Sequence, residues 1–577
     1  MPNARLILRW LVPALCFAFP LHAVPVRVEV EGVGRDLERN IRSVLSLETE
    51  DEDELTEEEV RRLHADAAEE IEQALQPFGY YRPRIRSELR QEGERWIARY
   101  EVDEGPPIKV ASVDLRLTGA GADAPEFREV VREFPVNEGD VLFHPDYERG
   151  KDALTELAAA EGYIDAEFQQ SQVRVDLDRY RADVVLHYDT GPRYRFGEVS
   201  FNQDVLDPDV LRGYVTFKPG EPLDVNKILE MQNALSDSPY WSRVEVLTQP
   251  EEARDLRVPV VVNLVPSKTM RFSGGVGYGT DTGARVRGAW ELRRLNRQGH
   301  RGQAEILASE IEQSVQLSYL VPGRYPRTDT LAYNAAYSRE ITDVADSETG
   351  LLGAQYTRYR EGWHESYSLT YQREDYEVGL DEGISNLLVP GVGWERVKAD
   401  DRITTRNGYR LLLTAQGADG NVLSDTTFLQ GSVEGKLIRT LGERHRLISR
   451  GQVGYTATDE LRELPPRFRF FAGGDRSVRG FGYRELGRED EAGNVIGGEA
   501  LLVGSLEYEV LFLEKWGAAV FFDTGNAFRD FGGSLERGAG FGIRWRSPIG
   551  PIRADMAWAL TEEGRPFRFH LNIGPDL

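Results

Sequence analysis

The stretch Met270-Arg271-Phe272-Ser273-Gly274-Gly275-Val276-Gly277-Tyr278-Gly279 alternates apolar side chains with small or polar ones. Successive side chains of a strand point to opposite sides. One face of this segment therefore carries Met270, Phe272, Val276 and Tyr278, and the other carries Arg271, Ser273, Gly275, Gly277 and Gly279. An apolar face opposite a polar one, repeated in segments of roughly ten residues, is typical of a membrane β-barrel.

The same alternation continues to the C-terminal end. No segment after the N-terminal leader reaches about 18 consecutive apolar residues, so the sequence predicts no transmembrane helix. A closed barrel is the other structure that satisfies backbone polar groups in lipid. At roughly 20 residues per strand and connection, residues 266–577 predict an antiparallel barrel of about 16 strands. In its last strand, one face has Phe567, Phe569, Leu571 and Ile573, and the other Arg568, His570 and Asn572.

The first 23 residues are predicted to be an export signal. Arg5 and Arg9 precede an apolar stretch of about a dozen residues, and Ala23 offers a small residue at the cleavage site. The formal net charge of the chain is −26, which argues against nucleic acid as a partner. The one cysteine, Cys16, lies inside the signal, so disulfides and thiol catalysis are excluded from the exported chain.

Residues 24–265 contain an internal repeat. Gly105-Pro106 and Gly191-Pro192 open similar segments 86 positions apart, and Gly79-Tyr80 and Gly162-Tyr163 lie 83 apart. Pro239-Tyr240-Trp241 occupies the equivalent place in a third unit. Self-similarity at a fixed period indicates an array of like domains. We predict α+β units at 24–104, 105–191 and 192–265, each in the order strand, helix, helix, strand, strand.

The first unit shows the pattern most clearly. Val26 to Val30 alternates as a strand, and Thr56 with Glu59 forms a capping box for a helix running to about Phe78. The acidic run from Glu48 to Glu54 precedes that cap. We interpret this run as a solvated loop, with a docking site for a basic partner as the alternative.

The segment Phe470-Phe471-Ala472-Gly473-Gly474-Asp475-Arg476-Ser477-Val478-Arg479-Gly480-Phe481 lies in a connection of roughly 25 residues, longer than ordinary loops. Val478-Arg479-Gly480-Phe481 resembles the signature loop of the outer-membrane insertase and transporter superfamily that includes BamA, TamA and two-partner secretion pores. The resemblance implies that this loop folds back into the barrel and that Arg479 meets acids on the inner wall. Glu507 and Asp523 fall on the lumenal face of their strands and are the expected acids.

The resemblance covers the whole chain and is closest to the TamA family, the outer-membrane subunits of the translocation and assembly module. Tyr194-Arg195-Phe196-Gly197 and the segment from Arg544 to Pro551 also carry it. It implies that the three units are periplasmic POTRA domains ahead of an outer-membrane barrel. BamA-type proteins fit less well, because they have five such domains and a longer chain. One departure is Leu577 in place of a terminal Phe, which suggests that the last strand stops near Ile573.

The sequence offers little for catalysis, and we expect no enzyme activity, cofactor or metal site. There is no Gly-x-Ser-x-Gly elbow, and the eight histidines show no metal-ligand spacing. The glycines of 275–279 lack the spacing of a nucleotide-binding loop, and like Gly538, Gly540 and Gly542 they are interpreted as barrel features.

Two functional hypotheses remain open. The favoured one is an assembly factor for outer-membrane or autotransporter-like clients, with a TamB-like periplasm-spanning partner and room for a role in lipid transport. The alternative is a two-partner-type pore for one exoprotein, although such pores usually have two POTRA domains and a plug helix. The favoured hypothesis predicts a lateral gate between the first and last strands. Its residues are Arg271, Ser273, Gly275, Gly277, His570 and Asn572, with Arg271 near Asn572 and Ser273 near His570.

Overall fold

The structure is a computed structural model that describes residues 24–49, 55–93, 95–401, 403–547 and 550–573. The predicted signal peptide, most of the acidic run and residues 574–577 lie outside the described residues. The chain divides into two compact units. The first unit contains the chain up to residue 198 together with residues 217–228 and 248–260. The second unit contains residues 199–216 and 229–247 together with the chain from residue 261 onward, which includes the barrel.

Three α+β modules are present; the second and third have the predicted element order, and the first has one additional short helix. The first comprises β1 (Val26–Glu31), α1 (Arg35–Val44), α2 (Ser46–Thr49), α3 (Glu57–Leu75), β2 (Arg84–Glu92) and β3 (Arg95–Asp103). The second comprises β4 (Lys109–Thr118), α4 (Pro125–Arg132), α5 (His144–Ala160), β5 (Glu167–Asp176) and β6 (Arg181–Asp189). The third comprises β7 (Arg195–Asn202), α6 (Pro208–Arg212), α7 (Val225–Ser236), β8 (Trp241–Thr248) and β9 (Arg257–Pro266).

Each module has a three-stranded sheet with its last strand in the centre, in the orders β1-β3-β2, β4-β6-β5 and β7-β9-β8. The first strand pairs parallel to the central one and the second pairs antiparallel, as in β1-β3-β2. In the first module the helices cover one sheet face, burying Ile41, Ile71 and Tyr100 completely. The predicted capping box is present, because Thr56 and Glu59 exchange side-chain-to-backbone hydrogen bonds at the start of α3.

The barrel is one antiparallel sheet of 16 strands, as predicted. In chain order its region contains β10 (Met270–Gly279), β11 (Gly283–Leu292), β12 (Arg301–Ser309), β13 (Glu312–Pro322), β14 (Asp329–Ile341), β15 (Ala345–Arg360), β16 (Trp363–Val378), β17 (Asp381–Ala399), β18 (Gly408–Ala418), β19 (Phe428–Leu441), β20 (His445–Thr458), β21 (Arg488–Glu489), β22 (Val495–Gly497), β23 (Ala500–Leu511), β24 (Trp516–Phe528), β25 (Glu536–Ser547), β26 (Gly550–Ala559) and β27 (Phe567–Ile573). All but β21 and β22, which form a separate ribbon, belong to the barrel wall.

The alternation in the sequence sets which side chains face outward. Phe272 is 73% exposed and Val276 is 88% exposed, while His570 on the inner face of β27 is 2% exposed. Large apolar side chains such as Phe567 and Phe569 are likewise exposed on the outer surface. An apolar outer face is stable in a membrane because lipid, not water, covers it.

The strands β10 and β27 stand at the two ends of the sheet order, and their seam is short. Thr280, directly after β10, donates its N–H to the Leu571 carbonyl at 3.3 Å, and its Oγ1 accepts the Leu571 N–H at 3.1 Å. The predicted pairing of Arg271 with Asn572 and of Ser273 with His570 is therefore wrong. The seven-residue β27 meets the far end of β10, so Arg271 lies well beyond its reach.

The connection between β20 and β23 runs over residues 459–499 and is longer than the predicted 25 residues. It includes two short 3₁₀ turns, Leu461–Glu463 and Pro466–Phe468, and the ribbon of β21 with β22. Val478 in this connection is 0% exposed and packs with Leu501, Val503 and Ala527 of the barrel wall, so this part of the connection lies inside the barrel. We call residues 470–486 the inner loop.

Candidate functional site

The inner loop is held inside the barrel by apolar packing. Val478 and Phe481 are buried together with side chains of the wall. Their cluster comprises Ala472, Val478, Phe481, Leu486, Leu501, Val503, Ala527 and Ala559. Because Val478 and Phe481 flank Arg479 and Gly480, burying them carries the arginine into the barrel interior.

Arg479 meets three carboxylates there. Its Nε donates to Asp523 at 2.7 Å, and its Nη1 donates to Glu507 at 2.7 Å and to Asp555 at 2.9 Å. The guanidinium also lies 3.4 Å from the ring centre of Phe521. The two ion pairs expected from the sequence are present, and Asp555 is a third partner that the sequence reasoning missed. Burial alone would lower the pKa of Arg479, but Asp523, Glu507 and Asp555 raise it above its ordinary value, so the group stays charged.

A second arginine shares the same acids. Arg544 on β25 donates to Glu507 at 2.6 Å, to Glu509 at 2.9 Å and to Asp555 at 2.5 Å. Arg446 on β20 completes the network with a contact to Glu509 at 2.5 Å. The side chains of all these residues are at most 8% exposed. Arg544 begins the segment to Pro551 that carries the family resemblance. The alternation of side chains along β25 places Arg544 on the lumenal face, and this was the sequence signal for its role in the network.

Glycines provide the space for this contact. A Cβ on Gly538 would lie 1.9 Å from the carbonyl oxygen of Arg479, and one on Gly542 would lie 1.9 Å from Asp555 Oδ1. Gly480 has a φ of +102° and passes against the backbone of Trp558 on β26. Of the β25 glycines interpreted from sequence as barrel features, Gly538 thus allows the loop backbone to touch the wall, and Gly542 leaves room for the Asp555 carboxylate.

A further arginine fixes the start of the inner loop. Arg469 is fully buried and donates to the Leu464 carbonyl at 2.6 Å and to Asp381 at 3.0 Å. Asp381 begins β17, on a different part of the wall from Glu507 and Asp523. The connection is therefore anchored at two places, of which the sequence reasoning found only Arg479.

Near the seam, Asp475 of the inner loop contacts both barrel edges. It accepts a hydrogen bond from Thr280 Oγ1 at 3.1 Å and lies 2.5 Å from Nδ1 of His570. Its N–H donates to Asp281 at 2.6 Å. Burial and, next, the charge of Asp475 raise the pKa of Asp281 to about 6.

Asp281, Asp475 and His570 place possible metal ligands within 4.8 Å of one another. However, the Gly480 N–H donates to Nε2 of His570 at 3.0 Å. A neutral imidazole that accepts at Nε2 carries its hydrogen on Nδ1, so the nitrogen facing the carboxylates donates and is not free to bind a metal. The absence of a cofactor remains a prediction from the sequence.

The remaining predicted gate residues lie apart from this cluster. Arg271 and Ser273 pair with Glu291 and Ala289 of β11. Gly275 and Gly277 also belong to β10, where Arg285 of β11 lies close to Gly277. Asn572 pairs with Arg553 of β26. Of the six residues, the structure brings only His570 to the seam contacts.

Comparison with known proteins supports this architecture. The Omp85 superfamily domain matches residues 295–576, the "POTRA domain TamA domain 1" model matches residues 27–104, and the model named "Surface antigen variable number repeat" (POTRA) matches residues 194–267. The chain is 26% identical over 508 residues to the outer membrane protein assembly factor BamA of Nitratidesulfovibrio vulgaris. That alignment covers 83% of this chain but 63% of the relative, so the chain spans under two thirds of its length.

Among solved structures, BamA from Haemophilus ducreyi lacking POTRA domains 1–3 matches with a TM-score of 0.68 and 17% identity, over 81% of this chain and 99% of that one. At that identity the match shows a shared fold. CdiB from Acinetobacter baumannii matches with a TM-score of 0.45 and 14% identity, over 82% of this chain and 91% of that one, which is too low to support an inference. No helix among the described residues is long and apolar enough to cross a membrane.

Proposed function

We propose that this outer-membrane protein is a non-enzymatic factor that assembles other outer-membrane or surface proteins, because residues 295–576 match the Omp85 superfamily domain and POTRA models match ahead of it. The curated relative carries the name of an outer membrane protein assembly factor, which supports the same class of activity. The clients would be unfolded outer-membrane or autotransporter-like proteins delivered from the periplasm.

The seam is the observation that supports this proposal. The strand β10 has ten residues, whereas β27 has seven and is hydrogen-bonded to Thr280, just beyond the end of β10. Within the described part of the chain, the edge of β10 from Met270 to Tyr278 has no ladder partner on the β27 side. An unpaired strand edge presents N–H and C=O groups that an incoming client strand can pair with.

For the POTRA domains we propose a periplasm-spanning partner of the TamB type, suggested by the TamA-type first domain. Lipid delivery with that partner is a second candidate activity for the same architecture. A secretion pore for one dedicated exoprotein is the competing function, and the identity of the bound protein separates the two.

Reconstitution tests the assembly function directly. The purified protein is placed in proteoliposomes, and a urea-denatured autotransporter barrel is added. We expect the client to become protease-resistant and heat-modifiable at least tenfold faster than with empty liposomes. A variant with Arg479→Ala tests the inner loop separately, because it loosens that loop without changing a residue of the β10 edge. An unchanged folding rate with the wild-type protein would contradict the proposal.

Co-purification from detergent-extracted membranes addresses the partner. Recovery of one large periplasm-spanning protein would support the TamB-type arrangement. Recovery of a secreted exoprotein in its place would favour the pore.

A further inference from the structure

We propose that Asp475 is a positioning residue that clasps the two edges of the barrel, so that withdrawal of the inner loop opens the seam. This inference rests on the proposed lateral gate. It concerns the contacts among Asp475, Thr280 and His570, which lie outside the ion-pair network around Arg479.

Three chain segments meet at Asp475. Thr280 follows β10, His570 lies on β27, and Asp475 lies between them on the inner loop. Thr280 Oγ1 donates to Asp475 and at the same time accepts the Leu571 N–H from β27. The carboxylate of Asp475 therefore holds the same threonine that bridges the two strands.

The contact is strong because it is charged and shielded. His570 carries its hydrogen on Nδ1, as required by the Gly480 N–H at Nε2, and so donates to the Asp475 carboxylate at 2.5 Å. The side chains of His570 and Asp475 are 2% and 7% exposed. Little water competes for this hydrogen bond, so losing the carboxylate leaves the buried Nδ1–H of His570 without this acceptor.

The clasp is coupled to the arginine contact through a short stretch of backbone. Only residues 476–478 separate Asp475 from Arg479, and the Gly480 N–H that fixes His570 follows Arg479 directly. Among the described residues, the direct hydrogen bonds between the two barrel edges are one backbone bond from Thr280 N–H to the Leu571 carbonyl and one from Leu571 N–H to Thr280 Oγ1. When the inner loop leaves the barrel, the seam therefore loses its hydrogen bonds to Asp475 and to the Gly480 N–H and keeps the contact between Thr280 and Leu571.

Disulfide formation across the seam measures the clasp. Extending the Thr280–Leu571 register by one residue sets Gly279 opposite Asn572, both on the inner face. Gly279→Cys with Asn572→Cys is the reporter pair, introduced into the full chain in detergent and oxidised after Cys16 is removed with the signal. We expect Asp475→Ala to slow oxidation of this pair at least fivefold, and Asp475→Asn to restore part of the rate because its amide oxygen still accepts hydrogen bonds.

Asp490→Ala is the matched control. Asp490 lies in the same connection and accepts hydrogen bonds from Leu380 and Asn494, away from the seam. Its removal should leave the oxidation rate unchanged, and heat-modifiable migration shows that each variant is folded. Equal oxidation rates for wild type and Asp475→Ala in folded barrels would overturn the clasp. Since the readout is independent of client folding, failure of the assembly function would not produce the same result.

Discussion

Replacing Arg479 with alanine should release the inner loop while the barrel stays folded. Four hydrogen bonds from the guanidinium to carboxylates disappear, and the one from the backbone N–H of residue 479 to Asp523 weakens as the loop moves. Arg544 still pairs with Glu507 and Asp555, so the loss falls mainly on Asp523. Asp523 is fully buried, and within the described part of the chain the Ser505 hydroxyl is the side-chain donor that it keeps.

The size of the effect follows from that uncompensated charge. Removing one partner of a buried ion pair costs about 3–5 kcal/mol. If this cost acts on loop closure, the fraction of open loop rises roughly 100- to 4,000-fold, since about 1.4 kcal/mol is a factor of ten. The fraction of open loop in Arg479→Lys should lie between those of the wild type and Arg479→Ala, because an ammonium keeps the charge but cannot form the bidentate contact with Asp523.

A buried thiol reports the opening. Val478→Cys places a cysteine next to Arg479 at a position that is 0% exposed in the closed loop. Its maleimide labelling rate should rise by about 100-fold when Arg479→Ala is added, in proportion to the open fraction. Arg476→Cys, at an exposed position of the same loop, should label equally in both backgrounds. If the labelling rate of Val478→Cys rises less than about threefold when Arg479→Ala is added, the reasoning from the buried charge is refuted.

Three further outcomes follow from the contacts described. Gly538→Ala puts a Cβ 1.9 Å from the Arg479 carbonyl oxygen, which should destabilise the closed loop by about 1–3 kcal/mol and speed labelling of the thiol at position 478. Gly435→Ala is the control, because a Cβ there meets nothing within 4 Å and should leave the labelling rate unchanged. Cysteines at 279 and 572 should cross-link on oxidation and cysteines at 271 and 572 should not; the reverse would show that the register at Thr280 is wrong. In the second module, burial lowers the pKa of His144, which contacts Tyr81 Oη at 2.7 Å, below its ordinary value of 6.5. The unfolded chain then binds more protons, so stability is complete above pH 6.5 and falls as the pH drops through 6.5 toward the lowered pKa. The urea midpoint of a 24–265 fragment should therefore fall from pH 7.5 to pH 5.5, and His144→Gln should reduce that fall; an equal fall in both would contradict the assignment.

Much of the architecture was encoded locally. Alternation along Met270–Gly279 predicted a barrel strand with Phe272 and Val276 outward, because strand geometry alone assigns every second side chain to one face. The capping box of Thr56 and Glu59 needs only residues three positions apart, so the start of α3 was readable in the same way. The contact of Arg479 with Glu507 and Asp523 was predicted from a motif resemblance together with that alternation.

The tertiary structure decided which distant groups meet. Alternation shows that Asp555, Arg544 and His570 face inward but not how far along the barrel each one sits. That height depends on strand register, which is fixed by closure of the whole sheet and by the route of the inner loop. For this reason the seam forms at Thr280 and Leu571 and not at Arg271 and Asn572. The pairing of Asp475 with His570 has the same origin, since it exists only where a folded-back loop meets two strand ends from opposite ends of the barrel sequence.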